Sequence, residues 1–244
     1  MKMSIEKIDN DFLKYISKFG NTISFCRVGS SICQNTNKDV DYLWIVEDKE
    51  NAKKVISNLE KIENIEFLDD SVRFLYANIT CNIAIYNVLD MDKKIEQIIN
   101  GDILGEIREW VFGYWLPEGL LYDIRKSYII IDNEGWLEKK KEYIVQNMEN
   151  FRKKIICRLI KEIDYCCKFP EHHQFAFVMR GRLILTMLRL YNISNNWEEI
   201  SFQKIYDRVE KSIYYRKFKI LLDINNTYPP NIIPELLNQI NEIY

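Results

Sequence analysis

The sequence predicts an α/β (α+β) sheet domain followed by an all-α helical domain, with the change of class near Gly135. Three observations carry this. Between Thr22 and Asp132, short runs rich in β-branched and aromatic residues alternate with amphipathic helical stretches, the pattern of a sheet with helices laid on it. From Trp136 to Lys168 there is neither Gly nor Pro, and apolar residues recur with helical spacing. The remaining segments also read as helices, which makes a bundle. The expected domains are residues 1–135 and 136–244, with no low-complexity linker between them and no internal repeat.

Each element has its own signal. Residues 5–19 form an amphipathic helix with Ile5, Ile8, Phe12, Tyr15, Ile16 and Phe19 on one side, ended by Gly20-Asn21. Strands are expected at 22–28 and 39–46, then a helix at 51–62 with Val55, Ile56 and Leu59 inward. Two strands, 71–76 and 80–87, flank a hairpin connection at Ala77-Asn78-Ile79. Short helices follow at 91–100 and 103–110, the first capped by Asp90-Met91-Asp92. A last strand at 127–132 ends in Asn133-Glu134-Gly135. Helices are then expected at 136–168, stopped by Pro170, and at 172–191, 197–211, 214–222 and 232–244.

Composition narrows the function classes. With 244 residues and 47% hydrophobic content, the chain can build one large or two small cores. A net charge of -2 gives no polybasic footprint and argues against nucleic acid as a partner. From Glu138 onward, 18 Lys and Arg stand against 13 Asp and Glu, so the back half is net +5 and the front half net -7, as fits two domains facing each other. Six cysteines (Cys26, Cys33, Cys81, Cys157, Cys166, Cys167) form no C-x-x-C pair, and the first residues carry no signal peptide. These read as reduced thiols, mostly core fillers, in a cytoplasmic protein. No apolar run approaches the ~20 residues of a membrane helix.

The chemistry concentrates in one place. Val28-Gly29-Ser30-Ser31 ends a strand in a Gly-Ser turn, and Asp39-Val40-Asp41 opens the next strand, Tyr42-Leu43-Trp44-Ile45-Val46. Side chains alternate along a strand, so Asp39 and Asp41 share a face. Two carboxylates so close favour a cation between them. Mg²⁺ takes few protein carboxylates and leaves positions for water and substrate phosphates. A turn with glycine lets backbone N–H groups approach a phosphate.

Gly29-Ser30, an eight-residue loop, Asp39-x-Asp41 and an apolar strand together resemble the signature of the nucleotidyltransferase (DNA polymerase β-like) superfamily. The order of elements, with Phe112-Gly113-Tyr114-Trp115-Leu116-Pro117, Tyr128 to Gly135 and the helical second half, resembles the antibiotic nucleotidyltransferases, the lincosamide type above all. The resemblance implies a nucleotidyltransferase-fold sheet domain with Mg²⁺ on Asp39 and Asp41. It implies that Gly29, Ser30 and Ser31 cradle the phosphates of ATP or another nucleoside triphosphate. It further implies transfer of a nucleotidyl group, AMP from ATP by preference, to a hydroxyl of a small-molecule acceptor. The loop from Ser30 to Asp39 is shorter than is usual in the family and, Lys38 aside, lacks its basic residues.

One departure matters more. Where the family carries a third carboxylate, thought to act as general base in the lincosamide-type enzymes, Cys81-Asn82-Ile83-Ala84-Ile85 places Asn82. An amide carries no charge and takes no proton, and a general base contributes typically ~10²–10⁴-fold. Asn82 therefore joins Asp39 and Asp41 as the third expected catalytic position, with its role open.

Glu118 is a candidate base, its blander reading being an exposed loop acid. Asp69 and Asp70 read as turn residues, and His172-His173 as the start of a helix rather than a metal site. Arg182, Thr186 and Arg189 fall on one helical stripe, so Arg182 is an expected contact for phosphate or an anionic substrate group; the alternative is that these arginines pair with acids of a neighbouring helix or reach solvent. Tyr214-Tyr215-Arg216-Lys217-Phe218-Lys219 is a basic, aromatic run that an amphipathic helix explains equally well. Two functions stay open: a Mg²⁺-dependent transferase acting on a small molecule such as an antibiotic, and a nucleotide-binding sensor or regulatory module weakened at Asn82. A homodimer is left open.

Overall fold

Strand alternation sorts the first half of the chain into a packed face and a polar face. In a computed structural model, residues 4–32, 39–101, 116–168, 176–223 and 231–241 are described. They form a mixed six-stranded sheet and, after its last strand, helices alone, as the sequence predicts. The strands are β1 (Thr22–Val28), β2 (Asp39–Val46), β3 (Ile62–Phe67), β4 (Ser71–Tyr76), β5 (Ile79–Asn87) and β6 (Tyr128–Asp132). Their order across the sheet is β3-β4-β5-β2-β1-β6. β2 and β5 run parallel, and every other neighbouring pair is antiparallel. The parallel pair needs a long crossover, which helix α2 (Lys49–Ser57) and the β3-β4 hairpin provide.

Helix α1 (Ile5–Ile16) covers one face of the sheet. Its buried residues Ile5, Ile8, Phe12 and Ile16 are four of the six that the helical spacing selects, and Tyr15 and Phe19 are partly buried against the same core. Phe12 is its centre: the rings of Tyr42 and Tyr76 lie 5.3 Å from it, and Phe74 lies 5.9 Å away, all edge-on. Val40, Tyr42, Trp44 and Val46 of β2 point into this core. Asp39 and Asp41, one step out of phase, must emerge on the opposite face.

Several expected boundaries move. Helix α2 ends at Ser57, and residues 62–67 are a strand that periodicity did not reveal. β3 is the sheet edge and buries none of its residues, so it carries no alternation to read. Ala77 and Asn78 both have positive φ, 50° and 65°, the two-residue hairpin whose twist matches its strands. Helix α3 (Val88–Asn100) begins before Asp90, so Asp90-Met91-Asp92 does not cap it; instead, Asn87 Oδ1 accepts from the Leu89 N–H at 2.9 Å. Asp92 meets Trp136 and Lys140. Helix α4 (Pro117–Lys126) was not expected, although proline at a first helical position is its sequence mark. The expected helix at 103–110 lies outside the described residues.

After β6 come α5 (Trp136–Cys167), α6 (Ala176–Ser194), α7 (Phe202–Glu210), α8 (Tyr215–Leu222) and α9 (Ile232–Asn241). The described residues gather into two compact units, one from 4–32, 39–97 and 120–147, the other from 98–101, 116–119, 148–168, 176–223 and 231–241. The second has its own core. Tyr191 of α6 stacks on Tyr214 at 4.5 Å and meets Phe218 edge-on at 5.8 Å. That burial accounts for two of the aromatics in the basic run 214–219. Among the described residues no helix is long and apolar enough to cross a membrane. Cys26, Cys81 and Cys166 are buried free thiols, whereas Cys157 and Cys167 are exposed; Cys33 lies outside the described residues.

Candidate active site

β1 ends at Val28, and Gly29 turns the chain with φ +72° into a short helical turn, Gly29–Ile32. Left-handed backbone of this kind favours glycine. Space requires it too: a Cβ on Gly29 would stand 3.0 Å from Asp41 Oδ2. The turn backbone is thus laid directly against the second carboxylate of the pair. Val28 and Asp41 are register partners on β1 and β2, which is how the twelve positions from Gly29 to Asp41 collapse to contact. Ser31 is buried, and its hydroxyl donates to the Val28 carbonyl at 3.0 Å, holding the turn closed. Ser30 is exposed.

The parallel register puts Asn82 of β5 beside Asp41, and the antiparallel register puts Arg73 of β4 beside Asn82. The side chains follow. Asn82 Nδ2 donates to Asp41 Oδ1 at 2.8 Å, and Arg73 Nε donates to Asn82 Oδ1 at 2.9 Å. A carboxylate accepts only and a guanidinium donates only, so this network fixes which way the amide points. One ladder row therefore crosses the sheet: Glu66 on β3, Arg73, Asn82, Asp41, then Val28 at the start of the Gly29 turn. Arg73 is a member that the sequence reading missed. Its signal was a single exposed cation between the buried Val72 and Phe74 of a short strand.

Electrostatics mark Asp41. Burial pushes its pKa above the ordinary carboxylate value; the Asn82 hydrogen bond opposes this, the Asp39 charge adds to it, and Arg73 opposes it again. Asp39 is exposed on the same face of β2. No group of three or more His, Cys, Asp or Glu able to hold a metal occurs among the described residues. Mg²⁺ does not require three: one or two carboxylates plus substrate phosphates suffice. Glycine at 29 leaves open the space beside Asp41 Oδ2 that a Cβ would fill, so the donor set of Asp39 and Asp41 fits such an ion. Asn82 does not fit as a ligand, because its carbonyl oxygen faces Arg73 and its NH₂ faces Asp41. It positions Asp41.

No protein-family model matches this chain, and no curated protein matches it. Among solved structures it is similar to a nucleotidyltransferase-like protein from Exiguobacterium sibiricum 255-15. That similarity has a TM-score of 0.47 and 11% identity, and covers 98% of this chain and 74% of the other. At that level it assigns no residue a role.

The remaining expected residues are placed elsewhere. Arg182 belongs to the second unit, on α6, where its Nε donates to Glu162 Oε1 of α5 at 2.7 Å; Thr186 Oγ1 reaches the same oxygen at 3.4 Å. Arg189 makes two bonds, 2.8 and 2.7 Å, to the carboxylate of Glu118. Both arginines of the stripe thus have acids of neighbouring helices as partners. Glu118 is neither an exposed loop acid nor an available base: it lies in α4, fully buried, with both oxygens held by Arg189. Asp70 accepts from Lys49 in the turn between β3 and β4, in keeping with its reading as a turn residue. His172 and His173 lie outside the described residues.

Proposed function

We propose that this chain is a Mg²⁺-dependent nucleotidyltransferase that moves a nucleotidyl group, AMP from ATP by preference, to a hydroxyl of a small molecule. Antibiotics of the lincosamide kind are the first acceptors to test. The observation that supports this is the contact of the Gly29 turn with Asp41, the residue that shares a strand face with Asp39. Phosphate-holding backbone and metal-holding carboxylates then meet at one point. Bound Mg²⁺ would neutralise charge on the phosphates and on the departing pyrophosphate. Asp39 and Asp41 would hold the ion, the turn backbone would orient the phosphate chain, and Asn82 holds Asp41 through its 2.8 Å hydrogen bond. The acceptor oxygen bonds to the α-phosphorus, the bond to the bridging oxygen breaks, and pyrophosphate leaves. No side-chain base stands at position 82, so the hydroxyl proton passes to water.

A second reading has its own observation. The amide at 82 is tied on both sides, which suits a module that binds nucleotide and turns over slowly or not at all. One experiment separates the two. The protein is incubated with ATP, Mg²⁺ and an acceptor panel, and pyrophosphate is measured. Acceptor-dependent release, lost in Asp41→Asn, supports the transferase; Mg·ATP binding without release under any acceptor supports the module.

A further inference from the structure

We propose that Arg73 binds an oxyanion of the substrate, a phosphate or carboxylate group, beside the Asp39/Asp41 site and on its side away from the Gly29 turn. The proposal rests on the nucleotide-site reading for its setting. Three observations carry it.

Arg73 is exposed and uses only Nε, on Asn82; among the described residues its two Nη nitrogens have no partner. The adjacent acid in its row, Glu66 on β3, forms no ion pair with it. A guanidinium held by one edge presents its remaining N–H fork outward, which is the geometry that grips a phosphate or carboxylate with two bonds. Asn82 is the anchor: it holds the fork in place and, through Asp41, ties it to the carboxylate pair.

The strand order sets the side. Asp41 on β2 has β1 and its phosphate-type turn to one side, and β5 and β4 to the other. A group held between the turn and the carboxylates has Arg73 across from it, two strands beyond Asp41 and so about 10 Å away along the sheet. A phosphate chain lying over the row, or an acidic second substrate placed opposite the turn, would both reach it. The chemistry is the same for either source, and it selects against a polycationic acceptor, which the guanidinium would repel.

The test titrates two probes into wild type, Arg73→Gln and Asp41→Asn: Mg·ATP in one arm, and inorganic phosphate without nucleotide in the other. The expected result is at least tenfold weaker binding of one probe by Arg73→Gln with an unchanged melting temperature, since the side chain is exposed. Loss in the Mg·ATP arm assigns the anion to the nucleotide, and loss in the phosphate arm alone assigns it to the second substrate. Equal affinity of wild type and Arg73→Gln in both arms overturns the proposal. If Mg·ATP binding still falls in Asp41→Asn, the nucleotide-site reading survives that result. If wild type binds phosphate through Arg73 but binds no Mg·ATP, the nucleotide-site reading fails and this inference stands. Binding of neither probe overturns both.

Discussion

Replacing Asn82 with aspartate changes one atom type, and its consequences can be worked out from the row. The Asn82 NH₂ that now donates to Asp41 Oδ1 at 2.8 Å disappears, and a hydrogen bond to a charged group is worth about 1.5–3 kcal/mol. A carboxylate about 4 Å from another repels it by roughly 4 kcal/mol at an effective dielectric of 20 and by about 1 in water. Asp41 is only partly exposed, which puts the repulsion between those limits. Arg73, already bonded to this side chain through Nε, becomes an ion-pair partner and returns about 0.2–1 kcal/mol at its exposed site. The metal-free variant should therefore be roughly 2–7 kcal/mol less stable than wild type at neutral pH.

The pH dependence has a definite sign. The Asp41 carboxyl in the folded protein already sits above the ordinary carboxylate pKa, chiefly because it is buried. A carboxyl raised by folding stabilises the fold below its unfolded pKa, and that contribution is lost as pH rises through the folded pKa. Asn82→Asp removes an interaction that lowers the Asp41 pKa and adds a like charge, so it lifts that pKa further. Its stability deficit should be small near pH 4 and grow toward neutrality. Millimolar Mg²⁺ should erase most of it, because an ion that binds only the folded state stabilises in proportion to its occupancy. Thermal melts across pH, in EDTA and in Mg²⁺, read all three effects. Equal stability of variant and wild type in EDTA at neutral pH, with no larger response to Mg²⁺, would refute the coupling of position 82 to Asp41 and the proposed Mg²⁺ site beside it.

Gly29→Ala should cost about 1–2 kcal/mol from φ +72° alone. It should also weaken Mg²⁺ binding, because its Cβ meets Asp41 Oδ2; calorimetric titration that finds wild-type affinity would count against the cradle. In the second unit, Glu118→Leu or Arg189→Met alone should each lose about 3–5 kcal/mol in urea denaturation, since either leaves a buried charge without its partner. The double substitution should recover most of that loss. Burial pushes Cys26 and Cys81 up to about 12, so a thiol reagent at mildly alkaline pH should label Cys157 and Cys167 and spare those two in the native protein. Peptide mapping by mass spectrometry reads the pattern, and native labelling of Cys26 would contradict its burial.

What the sequence showed of this architecture follows what each element buries. β1 and β2 are read at their observed bounds because one face of each feeds the Phe12 core, and the apolar positions betray it. The Gly29 turn and the Asp39/Asp41 pair were legible for the same local reason: a glycine after a strand and two acids one step apart need no distant information. Edge strand β3 fully buries no residue and packs only Ile62 partly against the core, so it had no alternation to read. Glu118 was misread because the residue that makes its burial tolerable, Arg189, is 71 positions away. Arg73 escaped notice because its relation to Asp41 exists only once β4, β5 and β2 are in register.

That register also bears on why aspartate at position 82 alone should not restore a fast enzyme. A carboxylate there would inherit the 2.9 Å bond from Arg73 Nε and become half of an ion pair. An acid engaged by a guanidinium is held in its ionised form but is a weaker base, because its lone pairs are occupied and its pKa is lowered. General-base help scales with basicity as well as position. The single variant Asn82→Asp should thus gain little in kcat, less than tenfold against the ~10²–10⁴-fold such a group can supply. Adding Arg73→Gln should release the carboxylate, raise kcat toward that range and raise KM, because the oxyanion contact is lost. The two changes would then be strongly non-additive in kcat. Pyrophosphate release under saturating substrate, measured for wild type, both single variants and the double, decides it. A full gain from Asn82→Asp alone would mean that Arg73 does not compete for position 82, and additive effects would mean that the two residues do not act as a pair.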